Sequence, residues 1–359
     1  MKKNKIVLFT GGTGGHVKPA ECFGNYLIQN GYECTIFIDK RGSKYLKKFK
    51  GKIIYIQGRH FSGGLFYKIY SFLILFFGFI KSFLLLFNIR PSSCIAFGSY
   101  ASFMPLLATL IVKIFSSCNI YLHEQNSIIG KVNLFFLPYA KNIFLNIIYN
   151  KQIKNNYSKK IIYTGLPTEK TLLFDRDLDI KDNKIKIFVY GGSQGSYNLN
   201  KGFIEIFDRL PLPICKKLSI TIQSSKKFST INISKLKKLN IDFYSKPFFE
   251  DIDNILKSSD IVVSRSGAGT INDIIQFQIP SILVPLPHSK NNHQLFNAKF
   301  LSNKKAALLI NESELNTDLS LKIFEKIISN NITRINIIKN LKNINLPNAN
   351  LLMKNEIIK

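Results

Sequence analysis

The chain has 359 residues, of which 46% are hydrophobic, and it carries a formal net charge of +28 at pH 7. This length and composition exclude a disordered chain and predict two domains of about 150 to 180 residues each. The N-terminal sequence MKKNKIVLFT has too short an apolar part for a signal peptide, and the five cysteines include no Cys-x-x-Cys pair. We therefore expect reduced thiols in a cytoplasmic protein.

The excess of lysine and arginine is compatible with nucleic acid, with an anionic membrane surface or with a bias in composition. The basic residues form no compact block, and the sequence has no zinc-finger spacing and no aromatic RNA-binding signature. We expect no nucleic-acid partner. A non-catalytic basic protein that binds membrane or RNA stays open as one alternative function.

Short β-branched runs alternate with longer stretches of helical spacing, which is typical of βαβ units with parallel strands. The predicted strands are 5–10, 33–38, 52–56, 93–97, 118–123, 160–164, 185–190, 218–223, 241–245, 260–264, 281–285 and 306–310. The fold class is therefore α/β, with two parallel sheets of similar design that face each other across a cleft.

The polar segment 165–184 interrupts this alternation and is the predicted linker. We expect one domain at 1–165 and a second at 166–340. A C-terminal helix within 341–359 is expected to pack back on the first domain.

Residues 63–91, GGLFYKIYSFLILFFGFIKSFLLLFNIRP, depart from ordinary α/β design. No charge occurs from Ile69 to Ile80, and Lys81 then interrupts the apolar run. A spanning helix needs about 20 apolar residues, so a membrane span is disfavoured. A buried core helix and a helix that dips into the membrane remain. Nearby cations favour contact with an anionic membrane surface: Arg59, Lys68, Lys81 and Arg90.

Four glycines follow the first predicted strand in TGGTGGHVKPA, residues 10–20. Such a loop before a helix lets backbone amides approach an oxyanion, and phosphate is the natural ligand. The loop is not Gly-x-Gly-x-x-Gly, because Val17 stands at the third glycine, and no Gly-Lys-Ser/Thr follows as in a P-loop. A dinucleotide or ATP site is therefore disfavoured, and a tight turn without a ligand is the alternative.

The second glycine loop, GGSQG at 191–195, also satisfies Gly-x-Ser-x-Gly between a predicted strand and a predicted helix. This is the nucleophile elbow of α/β-hydrolases, with Ser193 as the nucleophile. The acid and the histidine could follow in hydrolase order, from Asp251 or Asp260 and from His288 or His293. A serine hydrolase is therefore the second alternative, although it gives the other polar segments no task.

Three further segments place polar groups after predicted strands. SRSGAGTINDII, 264–275, opens a helix whose amides suit a diphosphate, while a carboxylate one turn later suits a ribose diol. HEQN, 123–126, puts four polar side chains at the end of an apolar strand, where packing alone rarely explains them. VPLPHSKNNHQLFNA, 284–298, is dense in the donors and acceptors that sugar hydroxyls need.

These segments together resemble the MurG family, bacterial N-acetylglucosaminyltransferases of glycosyltransferase family 28, in order and in approximate spacing, over essentially the whole chain. The resemblance implies a GT-B fold with two Rossmann-like domains. It also implies inverting transfer of N-acetylglucosamine from UDP-GlcNAc to lipid I (undecaprenyl-diphosphoryl-MurNAc-pentapeptide), which gives lipid II for peptidoglycan. The family works as a peripheral protein at the cytoplasmic face of the inner membrane, with no cofactor and no metal ligand set.

On the acceptor side, the resemblance makes His16 the candidate general base, since an imidazole suits proton abstraction at neutral pH. Glu124 is the second candidate for that role, and Asn126 is expected to position substrate. The acceptor-binding residues implied are Gly11, Gly12, Gly14, Gly15, Tyr100 and Ser102.

On the donor side, the resemblance implies that two helix N-termini bind the UDP diphosphate, that the backbone at Phe249 reads uracil, and that His293 and Gln294 contact the sugar. Lys170 is expected to be a further diphosphate contact. It lies beside Glu169, which stands where the family has arginine. The donor-binding residues implied are Thr13, Gly14, Gly15, Asn126, Ser193, Gln194, Phe249, Ala268, Gly269, Thr270, Asp273, His293 and Gln294.

Overall fold

A computed structural model describes residues 4–58, 64–147, 155–169, 173–178, 184–191, 196–224, 238–239 and 241–359, with backbone only at 65, 66, 68, 69 and 155. The chain forms two compact units. The first unit comprises Met1–Thr171 together with Pro347–Lys359, and the second unit comprises Leu172–Leu346. The chain passes between them at residue 171, inside the polar segment 165–184, and again at residue 346.

The first unit contains a parallel sheet of seven strands in the order β3-β2-β1-β4-β5-β6-β7. The strands are β1 (Lys5–Thr10), β2 (Glu33–Asp39), β3 (Lys52–Ile56), β4 (Ser93–Ala96), β5 (Asn119–Glu124), β6 (Asn142–Leu145) and β7 (Ile161–Tyr163). The strand β6 was not predicted. It lies in the apolar stretch 132–147, where helical and strand periods cannot be told apart.

The second unit repeats this design with six parallel strands in the order β10-β9-β8-β11-β12-β13. They are β8 (Ile185–Tyr190), β9 (Leu218–Gln223), β10 (Asp242–Lys246), β11 (Ile261–Ser264), β12 (Ser281–Leu283) and β13 (Leu308–Leu309). Every predicted strand overlaps one of the observed strands. The α/β class predicted from the alternation is therefore confirmed in both units.

Helices connect the strands and cover both faces of each sheet. They are α1 (Gly14–Gln29), α2 (Leu65–Ile89), α3 (Phe103–Phe115), α4 (Lys131–Phe136), α5 (Tyr197–Phe207), α6 (Leu212–Cys215), α7 (Ile252–Ser258), α8 (Ala268–Phe277), α9 (His293–Ser302), α10 (Asp318–Ser329), α11 (Asn331–Lys342) and α12 (Ala349–Ile357). Alternation along β1 feeds two cores: Val7 and Phe9 pack toward α3, whereas Ile6 and Leu8 pack toward α1 and α12.

The helix α2 is both a core helix and an apolar surface. Ser71, Leu75, Ser82 and Leu86 form its buried stripe, and the helix packs along α3. Its outer side exposes large apolar side chains: Tyr67, Tyr70, Phe72, Leu73, Phe76, Phe77, Leu84 and Phe87. Within the described residues, the segment Tyr70–Ile89 is long and apolar enough to cross a membrane by length and composition alone.

The helix α12 belongs to the first unit although it ends the chain. Met353 and Ile357 lie buried in the same core as Ile6 and Leu8. The hydroxyl of Tyr121 on β5 donates to the carbonyl of Glu356 at 3.3 Å, and the side-chain amide of Asn350 donates to the carbonyl of Thr168 at 2.9 Å. The last helix therefore completes the face of the first sheet that α1 covers.

Candidate active site

The strand order of the first sheet reverses between β1 and β4, and ligands of such sheets bind beyond the carboxyl ends of the strands at this point. The first glycine loop, residues 11–13, and the loop after β4, residues 97–102, both begin there. The sequence thus places the polar groups of these two loops at the binding edge of the first unit.

A buried carboxylate holds the first glycine loop. Asp39, at the end of β2, accepts hydrogen bonds at Oδ1 from the amides of Gly12 and Gly42, both at 2.8 Å. A Cβ on Gly11 would lie 2.5 Å from the same oxygen, and Gly12 has a φ of +75°, so neither position admits a side chain without strain. Asp39 was not among the predicted site residues, because nothing near it in sequence relates it to the loop.

This arrangement decides which amides of the loop can meet an anion. The Gly12 amide already donates to Asp39. The amides of Gly14 and Gly15, the first two of α1, have no acceptor among the described residues, because a helix leaves its first amides unpaired. An anionic ligand at this loop would therefore meet the amides of Gly14 and Gly15.

His16 lies half-buried in the first turn of α1. Its Nδ1 is 2.8 Å from the carbonyl oxygen of Phe97 and 2.9 Å from Oε1 of Gln125. Both partners are acceptors, so Nδ1 carries the proton and Nε2 keeps its lone pair. Nε2 has no partner in the described part of the chain. Gly98 permits this packing, since a Cβ there would lie 3.3 Å from the ring, and its φ is +72°.

The other candidate base, Glu124, is occupied by hydrogen bonds. Its Oε2 accepts from the Gly130 amide and from Nδ2 of Asn133, both at 2.9 Å, and its Oε1 accepts from the Asn126 amide at 3.2 Å. The residue is only 3% exposed. Its carboxylate therefore shapes the loop that leads into α4, and Asn126 is held at the rim of this loop.

The remaining acceptor candidates lie just after β4. Tyr100 is half-buried. Ser102 is fully buried, and its hydroxyl donates to the Gly98 carbonyl at 2.7 Å. Direct contact between Ser102 and an acceptor does not fit this burial. Ser102 instead stabilises the turn beneath His16.

In the second sheet the order reverses between β8 and β11, and the helix α8 begins directly after the loop that follows β11. The amides of Ala268, Gly269 and Thr270 form the N-terminus of α8 and have no acceptor among the described residues. Asp273 follows one turn later and is half-buried. Burial, and secondarily the charge of Asp273, raise the pKa of the Tyr190 phenol at the end of β8.

The two predicted sugar contacts, His293 and Gln294, are the first two residues of α9 and follow the loop 284–292. Nδ1 of His293 donates to the Lys290 carbonyl at 2.8 Å, which leaves Nε2 of the ring as an acceptor. Oε1 of Gln294 accepts from the Leu286 amide at 2.9 Å, which leaves its NH₂ group as a donor. The loop has left-handed backbone at Asn291 and Asn292, a strained conformation for residues other than glycine.

Phe249 packs its ring against Phe188 and Tyr244 in the core of the second unit. Only the backbone of Phe249 is thus available to a ligand. A cavity of about 530 Å³ adjoins it, lined also by Lys246 and Glu250. Ser193, Gln194 and Lys170, three of the predicted donor contacts, lie outside the described residues.

Family models match both units: the N-terminal domain of glycosyltransferase family 28 at residues 6–145 and its C-terminal domain at residues 186–347. The chain belongs to glycosyltransferase family 28. A relative from Rickettsia canadensis is 34% identical over 90% of each chain, and one from a Wolbachia strain of Drosophila simulans is 34% identical over 89% of each. Both are named UDP-N-acetylglucosamine–N-acetylmuramyl-(pentapeptide) pyrophosphoryl-undecaprenol N-acetylglucosamine transferase.

Solved structures agree with family 28 at the level of fold. The crystal structure of Acinetobacter baumannii MurG matches with a TM-score of 0.80 at 22% identity, over 99% of each chain. A UDP-GlcNAc 2-epimerase from Neisseria meningitidis, solved with UDP-GlcNAc bound, matches with a TM-score of 0.63 at 14% identity. The predicted GT-B class, the resemblance to the MurG family and the prediction of an enzyme are thereby confirmed.

The positions of the two candidate acids, Asp260 and Asp251, do not support the serine hydrolase alternative. Oδ2 of Asp260 accepts from the Lys186 amide, and both residues lie at the amino ends of their strands. That edge of the sheet is opposite to the one where the glycine loop after β8 begins. Asp251 caps α7 by accepting from the Asn254 amide at 3.2 Å. Both carboxylates are thus engaged by backbone amides, and Ser193 itself lies outside the described residues.

A second missed residue organises the donor-side loops. Arg265 is 4% exposed and donates to the carbonyls of Val284 and Pro285, both at 3.2 Å. It also donates to Oγ of Ser196 at 2.7 Å and forms an ion pair with Glu312. Arg265 therefore joins the segments that follow β8, β12 and β13 at the carboxyl edge of the sheet. The sequence signal was the charge in Ser-Arg-Ser at a strand end, which is costly to bury unpaired.

Proposed function

We propose that this chain transfers N-acetylglucosamine from UDP-GlcNAc to the 4-hydroxyl of the MurNAc residue of lipid I, giving lipid II with inversion at the anomeric carbon. Family membership and the names of relatives at 34% identity support the reaction. The observation that carries the mechanism is the imidazole of His16: its Nε2 has no partner among the described residues, and His16 directly follows Gly14 and Gly15, the first two residues of α1.

Inversion in a single displacement requires a base on the acceptor side. In the proposed step the acceptor O4 attacks the anomeric carbon of the sugar, the bond from that carbon to the β-phosphate oxygen breaks, and UDP leaves with the electron pair. The proton of O4 moves to Nε2 of His16, since an unprotonated imidazole nitrogen can act as a general base. Glu124 does not take this proton in our scheme, because its oxygens already accept from Gly130, Asn133 and Asn126.

The diphosphates of the two substrates would be met by backbone amides. Gly14 and Gly15 are proposed to bind the diphosphate of lipid I, and Thr13 and Asn126 stay predicted contacts of the donor. Gly11, Gly12 and Tyr100 complete the acceptor loop. On the donor side, Ala268, Gly269 and Thr270 at the N-terminus of α8 would stabilise the negative charge of the departing UDP.

The remaining parts of the donor are its ribose, its uracil and its amino sugar. Asp273 would accept from the ribose hydroxyls, and the backbone of Phe249 would read uracil. The NH₂ group of Gln294 and Nε2 of His293 would contact the hydroxyls of the amino sugar. Ser193, Gln194 and Lys170 stay predictions for the UDP diphosphate.

We also propose that the first unit rests on the anionic surface of the inner membrane, at its cytoplasmic face, through α2 and its neighbours. The exposed apolar side chains of α2 continue on α3 at Ile111, Ile114 and Phe115. The helices α2, α3 and α4 contain lysines but no aspartate or glutamate. An apolar surface with cations and without anions favours anionic lipid. Peptidoglycan synthesis at this surface would connect the enzyme to cell shape and division.

The test of the reaction uses purified protein, UDP-GlcNAc and a lipid I analogue with a shortened lipid chain. We expect formation of the disaccharide product and release of UDP, with UDP-glucose and UDP-GalNAc as poor donors. His16→Ala should lower kcat by about 100-fold to 10,000-fold, while calorimetry shows unchanged UDP-GlcNAc affinity. Absence of UDP-GlcNAc binding would refute the donor assignment, and normal turnover of His16→Ala would refute the assignment of the base.

A further inference from the structure

Buried hydrogen bonds connect His16 to the end of β7 through two side chains of the HEQN segment. Gln125 is 1% exposed and its Oε1 lies 2.9 Å from Nδ1 of His16. Its Nε2 lies 3.2 Å from Nδ1 of His123, and Nε2 of His123 lies 3.2 Å from the carbonyl oxygen of Gly165. The series therefore runs from His16 through Gln125 and His123 to Gly165.

The orientation of the Gln125 amide follows from its neighbours. Nε2 donates to the Phe97 carbonyl at 2.9 Å. With the amide turned over, Oε1 would face that carbonyl oxygen, and two acceptors would meet without a proton between them. Oε1 must therefore point to His16. The backbone carbonyl of Gln125 is also fixed, since it accepts from Nδ2 of Asn146 at 2.9 Å.

His123 can accept from Gln125 only while it is neutral. It is fully buried, and burial lowers the pKa of His123 to about 4. Its Nε2 faces the carbonyl of Gly165 and must carry the ring proton, so its Nδ1 is the acceptor that Gln125 requires. The ring is held in place by stacking on Phe97, with ring centroids 5.1 Å apart.

We propose that Gln125 and His123 are positioning residues that fix the Nδ1–H form of His16 and stabilise the positive charge that His16 gains when it takes the acceptor proton. This inference rests on the proposed role of His16 as base. All three hydrogen bonds run in the same direction: His16 donates to Gln125, Gln125 donates to His123, and His123 donates to the carbonyl of Gly165. The aligned dipoles place a polarised carbonyl oxygen against His16.

The arrangement does with neutral groups what a carboxylate does for the histidine of a serine-protease triad: it orients the ring and stabilises the imidazolium. A neutral partner adds no second negative charge, beyond that of Asp39, next to a loop that is proposed to accept an anionic diphosphate. The Gly14 and Gly15 amides follow directly on this loop.

The experiment combines kinetics with NMR of protein labelled with ¹⁵N in the histidine rings; the chain has 5 histidines, and His16→Gln identifies the His16 signals. In the unaltered protein we expect a protonated Nδ1 and an unprotonated Nε2 at His16. Gln125→Met keeps the length of the side chain but removes the acceptor. In this variant we expect the Nδ1 proton of His16 to exchange faster with water and to resonate at higher field than in the unaltered protein.

In the transfer assay, Gln125→Met should lower kcat about tenfold to 100-fold with an unchanged KM for UDP-GlcNAc, because a hydrogen bond to a charged group is lost in the transition state. His123→Phe keeps the stacking on Phe97 and should give a smaller loss of the same kind. Thr109→Val is the matched control, since Thr109 is equally buried in the first unit, its hydroxyl donates to the Pro105 carbonyl at 2.7 Å, and it takes no part in the series from His16 to Gly165.

The proposal would be overturned if His16 of the unaltered protein carried its proton on Nε2. It would also be overturned if the exchange rate and chemical shift of the His16 Nδ1 proton in Gln125→Met and His123→Phe were the same as in the unaltered protein. Equal losses of kcat in Thr109→Val and in the two variants would do so as well. The NMR readout needs no substrate. If the protein transfers no sugar, the proposed function fails while the state of His16 still decides this inference.

Discussion

The apolar surface of α2 allows a quantitative test of membrane contact. Phe72, Phe76 and Phe77 are exposed by 57%, 47% and 63% of their surface, whereas Phe79 packs partly against the core. Burying a whole phenylalanine side chain contributes about 2 kcal/mol. These exposed fractions together correspond to between one and two whole side chains. Replacing the three residues by serine should therefore weaken partition into vesicles by about 3 kcal/mol, which is more than 100-fold.

The assay is sedimentation with vesicles that contain anionic phospholipid, at low and high salt. The control replaces Leu212, Leu319 and Ile332 by serine in the second unit, where the exposed fractions are 57%, 62% and 67%. This control should bind vesicles like the unaltered protein. Equal partition of the Phe72/Phe76/Phe77 variant and the control variant would refute the membrane assignment, and binding that does not weaken with salt would remove the role of the lysines.

Three further results are expected. Glu124→Gln should lower kcat less than tenfold in steady-state kinetics, since it disturbs a loop; a loss of about 100-fold or more would identify Glu124 as the base. Asp39→Ala should lower the free energy of unfolding by about 2 to 4 kcal/mol in urea, because two buried amides lose their acceptor, and Asp39→Asn should recover most of this; equal losses in both would be contrary. His123 binds a proton in the unfolded state below pH 6.5 but in the folded state only near pH 4, so the stability of the first unit should fall by about 2 kcal/mol from pH 7 to pH 5 relative to His123→Phe.

The sequence was sufficient for the fold because both sheets follow local rules. Short apolar runs, helical spacing and glycine turns repeat in each half, and parallel order follows from this alternation. The strand β6 was missed because it has only four residues, Asn142–Leu145, too few for their period to distinguish a strand from a helix. The two faces of α2 were also beyond the sequence, because phenylalanine occurs on the buried and on the exposed side alike.

The candidate site was predictable where one segment supplies its own chemistry, as in the glycine loop with His16 or at the start of α8. It was not predictable where distant residues cooperate. Asp39 acts on a loop 27 positions away. The choice between His16 and Glu124 depended on which side chains Gly130, Asn133 and Gln125 contact, and the spacing of these residues along the chain does not show this.

The position of α12 has a consequence for biosynthesis. The pocket that receives Met353 and Ile357 is built by β1, β2, α1 and later strands of the first unit, and β1 and β2 lie more than 300 positions earlier in the chain. During translation, this apolar pocket in the N-terminal half stays uncovered until α12 has been synthesised. A nascent or truncated polypeptide that stops at residue 346 would therefore be a substrate for chaperones, and contacts of such long range slow the final step of folding.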